Sequence, residues 1–440
     1  MLRNLILMRF ILPFGDIVFK GNFIKSLRFW RKFKDFSQKD LEDYQKKALK
    51  KKLQFANENI IKYKDILLSD NDTIEEMLLK FPILTKTDLK VNPNILISNS
   101  KEKSTKISSS GSTGESTTVF MNIKDLTSLQ ALQFHLWELC GYKIGMPVLQ
   151  TGISPKRSLL KKLKDIFFGT MYISAFSLTE KQLQTICKKL NKNKLYTIIG
   201  YPSSVNIIAS YILENDLDLS IARFIGIGDA MLSKYKLNIK KALKCEIYEM
   251  YGTSEGFQIG FQYDLKYMYQ YSPQVYLELL DDNDNEVKDG EIGNVVVTRL
   301  DNYNMPLIRY KIGDLAIKLP KEHYPKKRKY NFPLLEKVVG RNTDIVILPD
   351  NRKMVVHSFT GIFEYIVEIK QFKIIQKDKS GILIEYIPAD NFENNILANI
   401  KRKLQKHIAN EEFYIEFIEV TSIKSAVSGK TQLIKSYLTL

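Results

Sequence analysis

The chain has 440 residues, 44% hydrophobic and 26% charged, with a formal net charge of +17. That length leaves room for more than one domain and a substantial core, and the mix is that of a globular protein, not a disordered or fibrous one. No uninterrupted apolar run reaches the ~18 residues of a membrane span; Cys140, Cys187 and Cys245 are too far apart for a disulfide framework or redox pair, and with four histidines and no His/Cys cluster a structural zinc is not expected.

A reducing, cytoplasmic setting follows. The positive charge would suit nucleic acid or an anionic membrane. However, Lys, Ile and Asn are frequent throughout, and no recognition helix, zinc finger or aromatic ribonucleoprotein motif accompanies them, so no nucleic-acid partner is expected. Met1 to Lys20 is apolar but broken by Arg3, Arg9 and Asp16, and lacks the small-residue cleavage site of a signal peptide. It reads as an amphipathic docking helix, with at most a peripheral membrane contact.

Residues 1–100 form a mainly helical, basic lead-in, with Lys46 to Lys52 a charged helix face. Phe81-Pro82-Ile83-Leu84-Thr85-Lys86-Thr87-Asp88-Leu89 closes it with a Pro-marked extended stretch and a Thr N-cap. Next comes Ser108-Ser109-Ser110-Gly111-Ser112-Thr113-Gly114-Glu115-Ser116-Thr117-Thr118. Its glycines let the backbone approach a ligand closely, and its hydroxyls donate to oxyanions, so polyphosphate suits it; a Ser/Thr/Gly linker has the same composition. Val119-Phe120-Met121 reads as a buried strand. Leu126 to Cys140 has helical spacing, with Trp137 packed and His135 open to either side.

Strands at Val148–Gly152, Leu195–Gly200, Phe224–Gly228 and Glu246–Met250 then alternate with helices at Leu178–Asn191, Pro202 to Glu214 and Lys234–Leu243. Such alternation predicts an α/β domain with largely parallel strands and ligands beyond their carboxyl ends. The period changes at Val275–Leu280 and Asn294–Thr298, which alternate like antiparallel strands around an Asp281–Asn285 turn. A smaller α+β region follows Gly340. Basic clusters at Lys156-Arg157, Lys161-Lys162-Lys164 and Lys326–Lys329 read as solvated faces or as a seat for an anionic acceptor.

Four further stretches carry chemistry. Tyr248-Glu249-Met250-Tyr251-Gly252-Thr253-Ser254-Glu255 puts an aromatic ring, a hydroxyl and a carboxylate after a strand, where they could stack on a base and hold Mg²⁺. Arg309-Tyr310-Lys311-Ile312-Gly313-Asp314 ends in a carboxylate suited to ribose hydroxyls. Gly340-Arg341-Asn342-Thr343-Asp344 places a cation where the composition changes, and Ser428-Gly429-Lys430 an ammonium on a flexed loop. A P-loop needs a glycine where Lys424 stands, so Gly429-Lys430-Thr431 is not one.

In this order, these stretches resemble the adenylate-forming superfamily, most closely its phenylacetate–CoA ligase/CapK-like (coenzyme F390 synthetase) branch. Gly200-Tyr201-Pro202-Ser203, Gly290-Glu291-Ile292-Gly293-Asn294, Met305-Pro306-Leu307-Ile308-Arg309-Tyr310 and Ile347-Leu348-Pro349-Asp350 add to the likeness, which runs over roughly residues 80–435. It implies an α/β fold: a large N-terminal domain (1–340) of α/β subdomains with an added β-rich subdomain, and a small mobile α+β C-terminal domain (341–440). It implies an enzyme that makes an acyl-adenylate from a carboxylic acid and ATP with Mg²⁺, releases pyrophosphate, and passes the acyl group to coenzyme A. Two alternatives stand beside this: a ligase of surface-polysaccharide assembly with an amine acceptor, and a non-catalytic nucleotide-binding adaptor.

The resemblance also implies roles. Ser109, Ser110, Gly111, Ser112, Thr113 and Gly114 match the phosphate loop; Gly228, Asp229 and Ala230 line the adenine, on which Tyr251, followed by Gly252, stacks. Ser254 stands for the usual Thr beside phosphate, Glu255 matches the metal-binding and catalytic carboxylate, Asp314 the ribose-binding Asp, Arg341 the boundary arginine, and Lys430 the mobile catalytic lysine. The acid pocket should draw on the region after Tyr172, on Tyr201-Pro202-Ser203 and on the turn before Tyr251. Glu115-Ser116 in place of a Pro, Ile312 in place of Thr and Thr343 in place of the hinge residue depart from the pattern.

Overall fold

Consecutive residues of a strand point to opposite faces of its sheet, and in this chain Ile198 and Ile199 go to different cores. The computed structural model describes residues 2–98, 103–108, 117–152, 159–174, 178–192, 195–341, 345–350, 352–355, 359, 362–363, 366, 368–393, 395–410, 412–423 and 433–438. Ile198 packs with Leu149 and Phe224 against Ile186, Leu190, Val205, Ile208, Ile239 and Leu243 of three helices, Glu180–Asn191, Pro202–Glu214 and Ser233–Leu243. Ile199, Ile225 and Val148 face the other way, onto Leu132 and Leu136 of the helix Ile123–Leu139 and Leu27 and Trp30 of the helix Phe23–Arg31. Apolar on both faces, these short strands are parallel, as buried crossover strands must be.

The strands Thr170–Ser174, Val148–Gly152, Thr197–Gly200, Arg223–Gly226 and Glu246–Gly252 lie side by side in that order, all parallel. Direction reverses at Glu246–Gly252. Gln258–Gln262, Met268–Gln270, Leu334–Arg341, Tyr310–Lys318, Ile292–Arg299 and Val275–Leu280 continue the same eleven-stranded sheet antiparallel. The β-rich part is therefore joined edge to edge to the parallel part. The Asp281–Asn285 turn sits where the alternation placed it, closed by the Asp281 side chain accepting from the Asn283 and Asn285 amides.

The helix Gln38–Asn59 packs Leu49, Leu53 and Ala56 against Leu277, Val295 and Val297 of this antiparallel part. Its lysine face is not wholly solvated. Lys52 is fully buried, donates to the Asn302 carbonyl and lies over the Tyr303 ring. Thr85 caps the helix Lys86–Val91 through a reciprocal bond pair with Asp88. Leu84 then exchanges backbone bonds with Arg309 and Lys311, tying the Phe81–Leu89 stretch to the sheet.

The elements not placed from sequence include the helix Leu159–Phe168, the edge strand Thr170–Ser174 and the strands Ser104–Ser108, Gln258–Gln262, Met268–Gln270 and Leu334–Arg341. Lys161, Lys162 and Lys164 hide the helix's apolar spacing, and an edge strand lacks the all-apolar run of its neighbours. After Arg341, residues from Val346 to Ile434 gather around a separate core. A four-stranded sheet, in the order Tyr414–Glu419, Gly381–Pro388, Ile369–Gln376 and Ile434–Ser436, carries the helix Asn395–Ile408. The three cysteines are free and buried.

Candidate active site

Parallel strands deliver their following loops to one edge of the sheet. Three neighbouring strand ends meet there closely. Thr151 Oγ1 accepts from the Tyr201 amide at 2.9 Å, and the Ile227 amide donates to the Gly200 carbonyl. A Cβ at Gly152 would overlap the Tyr172 hydroxyl, and one at Gly228, where φ is +71°, would lie 2.5 Å from Tyr201 Cε1. Only glycine lets both rings rest on backbone here. Burial raises the Tyr201 phenol pKa, and the nearby Tyr172 and Asp229 raise it further. The expected adenine segment Gly228-Asp229-Ala230 thus shares one wall with Tyr201 of the expected acid pocket and with Tyr172; of the region after Tyr172, residues 175–177 lie outside the described residues. Asp229 Oδ1 accepts from the Ala230 amide and fixes the turn.

The Glu246–Gly252 strand supplies the adjoining wall. Tyr251 donates its hydroxyl to Asp314 Oδ2 at 2.8 Å across the antiparallel half. Beyond it the chain turns tightly: Thr253 N donates to Phe257 O, Gly256 N to Thr253 O, and the pairing slips between Tyr251 and Gly252. A Cβ at Gly252 would strike the Phe257 carbonyl at 2.6 Å. This turn presents Ser254 and Glu255.

The Glu255 carboxylate is 7% exposed. Its Oε1 accepts from Thr117 Oγ1 at 2.7 Å and from the Tyr310 hydroxyl at 3.4 Å, and Ser254 Oγ lies 3.4 Å from Oε2. Thr117 is the next-to-last residue of the hydroxyl-rich stretch Ser108–Thr118, so this bond ties that end of it to the carboxylate. Arg299, wholly buried and paired with Asp301 at 2.8 Å, donates to the Glu255 carbonyl from below. Burial, reinforced by Glu255, keeps the Tyr310 phenol protonated and a donor. Asp314 lies directly across the ladder from Arg341, after Gly313 at φ +86°.

Tyr251, Gly252, Ser254, Glu255, Asp314, the backbone of Arg341 and the Gly228–Ala230 turn are therefore assembled around one sheet edge. Ser109 to Gly114, Asn342 to Asp344 and Lys430 lie outside the described residues. Thr117, Tyr310 and Arg299 were not singled out from sequence. Thr117 was one hydroxyl among many and Tyr310 one letter of a motif, while nothing marked the Arg299–Asp301 pair.

The donor set fits a nucleotide with a hard cation. A single buried carboxylate flanked by hydroxyls suits Mg²⁺, which takes one or two carboxylates and completes its shell with phosphate and water. Among the described residues no group of three or more His, Cys, Asp or Glu could hold a metal by itself. An open, glycine-lined turn beside Tyr201 and Tyr251 suits a planar base.

No protein-family model matches the chain. It is 27% identical over 415 residues to protein CapK of Staphylococcus aureus, covering 89% of this chain and 88% of the relative. It is 25% identical over 353 residues to a phenylacetate–coenzyme A ligase of Pseudomonas putida, covering 75% and 76%. The fold matches a crystal structure of 2-hydroxyisobutyryl-CoA ligase in its postadenylation state with an acyl-AMP, with a TM-score of 0.71 at 15% identity over 89% of this chain and 88% of that one.

Proposed function

We propose that this chain, an AMP-forming ligase of the adenylate-forming superfamily and its phenylacetate–CoA ligase/CapK-like branch, activates a carboxylic acid with ATP and passes the acyl group to coenzyme A. The carrying observation is the assembly at one sheet edge of Glu255, Tyr251 and Asp314 with the Gly228–Ala230 turn. It agrees with relatives aligned over most of the chain.

A carboxylate oxygen of the acid attacks the α-phosphorus of ATP, the bond to the β-phosphate oxygen breaks, and pyrophosphate leaves. The thiolate of coenzyme A then attacks the acyl carbonyl and AMP leaves with the electron pair. Tyr251 and the Gly228–Ala230 turn hold the adenine, and Asp314 accepts from the ribose hydroxyls. Ser109 to Gly114 hold the β- and γ-phosphates, and Thr117 keeps that loop beside Glu255. Glu255 would hold Mg²⁺, which when bound offsets negative charge on the phosphate oxygens. Lys430 brings its ammonium to the reacting oxygens during adenylation, and residues 341–440 then turn about Arg341–Asp344 to admit the acceptor. The acid lies between Tyr172 and Tyr201.

A second acceptor reading has its own support. The alignment with CapK covers more of this chain than that with the phenylacetate ligase, and the resemblance to that branch is what suggests an amine of surface-polysaccharide assembly as the acceptor. Incubation with ATP, Mg²⁺ and a panel of acids, with either coenzyme A or amino sugars, separates the two. A thioester with AMP release is expected. An amide formed only with amines would replace coenzyme A as acceptor, and absence of AMP with every acid would leave a nucleotide-binding adaptor.

A further inference from the structure

The helical stretch from Leu2 to Val18 has an unburied apolar side. Leu2–Ile6 and Leu12–Val18 are α-helical, and Leu7–Ile11 between them is wound as a π-helix. A spacing of four overshoots an α turn and undershoots the wider π turn, so the π segment brings a four-residue stripe back into line. That stripe is Leu2, Ile6, Phe10, Phe14 and Ile17, and Phe10, Phe14 and Ile17 are 65%, 68% and 77% exposed. Leu7, on the other side, is buried in the core that also holds Phe168.

Phe168 ends the helix Leu159–Phe168, which repeats the pattern. Leu159, Leu163, Ile166 and Phe167 are exposed, Leu159 by 79% and Ile166 by 70%. The two helices adjoin. A Cβ on Gly169, directly after the second helix, would meet the Arg3 guanidinium, and Leu7 and Phe168 lie in one core. Two neighbouring helices thus bury one side in a shared core and leave aromatic and aliphatic side chains outside.

Charge identifies what covers this surface. Arg3, Arg9, Lys20, Lys162 and Lys164 are exposed around the apolar residues, against one half-buried carboxylate on the helix Leu159–Phe168, Asp165. No Glu precedes Glu42, and both carboxylate oxygens of Asp16 are bonded to the Phe23 and Ile24 amides. A cation-rimmed apolar helix face of this size is the form that lies in the headgroup region of a bilayer, and a protein partner of ordinary polarity would leave the cations unmatched. We propose that the helices Leu2–Val18 and Leu159–Phe168 together dock the protein on the surface of an anionic membrane, without crossing it. No helix among the described residues is long and apolar enough to cross.

Co-sedimentation of the full chain with phosphatidylcholine vesicles, with and without phosphatidylglycerol, tests this. Binding should be tighter with phosphatidylglycerol by about tenfold or more and should weaken with salt. Phe10→Glu with Phe14→Glu, and separately Leu163→Glu with Ile166→Glu, should each abolish it, with circular dichroism unchanged because these side chains are exposed. Leu237→Glu, on an exposed position of the helix Ser233–Leu243, should not. Absence of binding, equal binding to both vesicles, or loss with Leu237→Glu would overturn the proposal. So would a wild-type dimer in light scattering that Phe10→Glu with Phe14→Glu dissociates, since the surface would then be a self-interface.

Discussion

Glu255 shows how a carboxylate can be buried and still remain ready for a cation. Its Oε1 is met by hydroxyls of Thr117 and Tyr310, which satisfy it without neutralising it. A Gln at this position accepts the same two bonds but brings no charge. Glu255→Gln should therefore leave folding near wild type and raise the Mg²⁺ needed for AMP formation by about tenfold to a hundredfold, the range expected for losing one charge-assisted contact. A Mg²⁺ titration checks it, and an unchanged profile would remove Glu255 from the site. His135 makes the opposite case. It is 1% exposed, neither ring nitrogen has a hydrogen-bond partner among the described residues, and burial holds its pKa down at about 3. The unfolded chain takes up this proton near pH 6.5 and the folded chain does not, so stability is lost as pH falls below about 6.5, at about 1.4 kcal/mol per pH unit. His135→Phe should remove that slope, seen as a wild-type-minus-variant difference in chemical unfolding that changes between pH 6.5 and 5.

At the level of elements, the site depends on backbone that only glycine permits. Gly228→Ala puts a Cβ against Tyr201 at a positive φ, whereas Gly290→Ala meets nothing nearer than Pro320 at 3.9 Å, also at a positive φ. Both should lose about 1–2 kcal/mol of stability from the left-handed conformation. Only Gly228→Ala should also raise the KM for ATP, by displacing Tyr201 or closing the turn. Much of this was legible in the sequence. Apolar strands alternating with helices marked the parallel half, although the Thr179–Gln182 capping box that opens the helix Glu180–Asn191 was not picked out. The strand Glu246–Gly252 begins where the sequence placed it but runs two residues past Met250, and Gly228, read as a strand's last residue, lies instead in a turn beyond the strand Arg223–Gly226. The helix Leu159–Phe168 was not legible, because lysines interrupt its apolar spacing, and neither was the order of strands in the antiparallel half. Leu334–Arg341 pairs with both Tyr310–Lys318 and Met268–Gln270, a non-local choice set by packing that no local pattern records. Arg299 beneath Glu255 was hidden for the same reason.

Across the whole molecule, the two proposed half-reactions draw on one sheet edge and on the second core after Arg341. Lys430 should serve only the first. Lys430→Ala should lose adenylation by about 10²–10³-fold, as typical for removing a donor that stabilises developing charge, yet consume a supplied acyl-adenylate with acceptor at a near-normal rate. Equal losses in both half-reactions would mean misfolding or a fixed site, and Lys435→Ala, on the Ile434–Ser436 strand, is the matched control. The central claim, that this sheet edge joins a carboxylic acid to AMP, is tested most directly by exchange of labelled pyrophosphate into ATP. Exchange should require both Mg²⁺ and one acid of a panel, fall sharply in Lys430→Ala, and need no acceptor. Exchange independent of any acid, or ADP and phosphate in place of AMP and pyrophosphate, would contradict it.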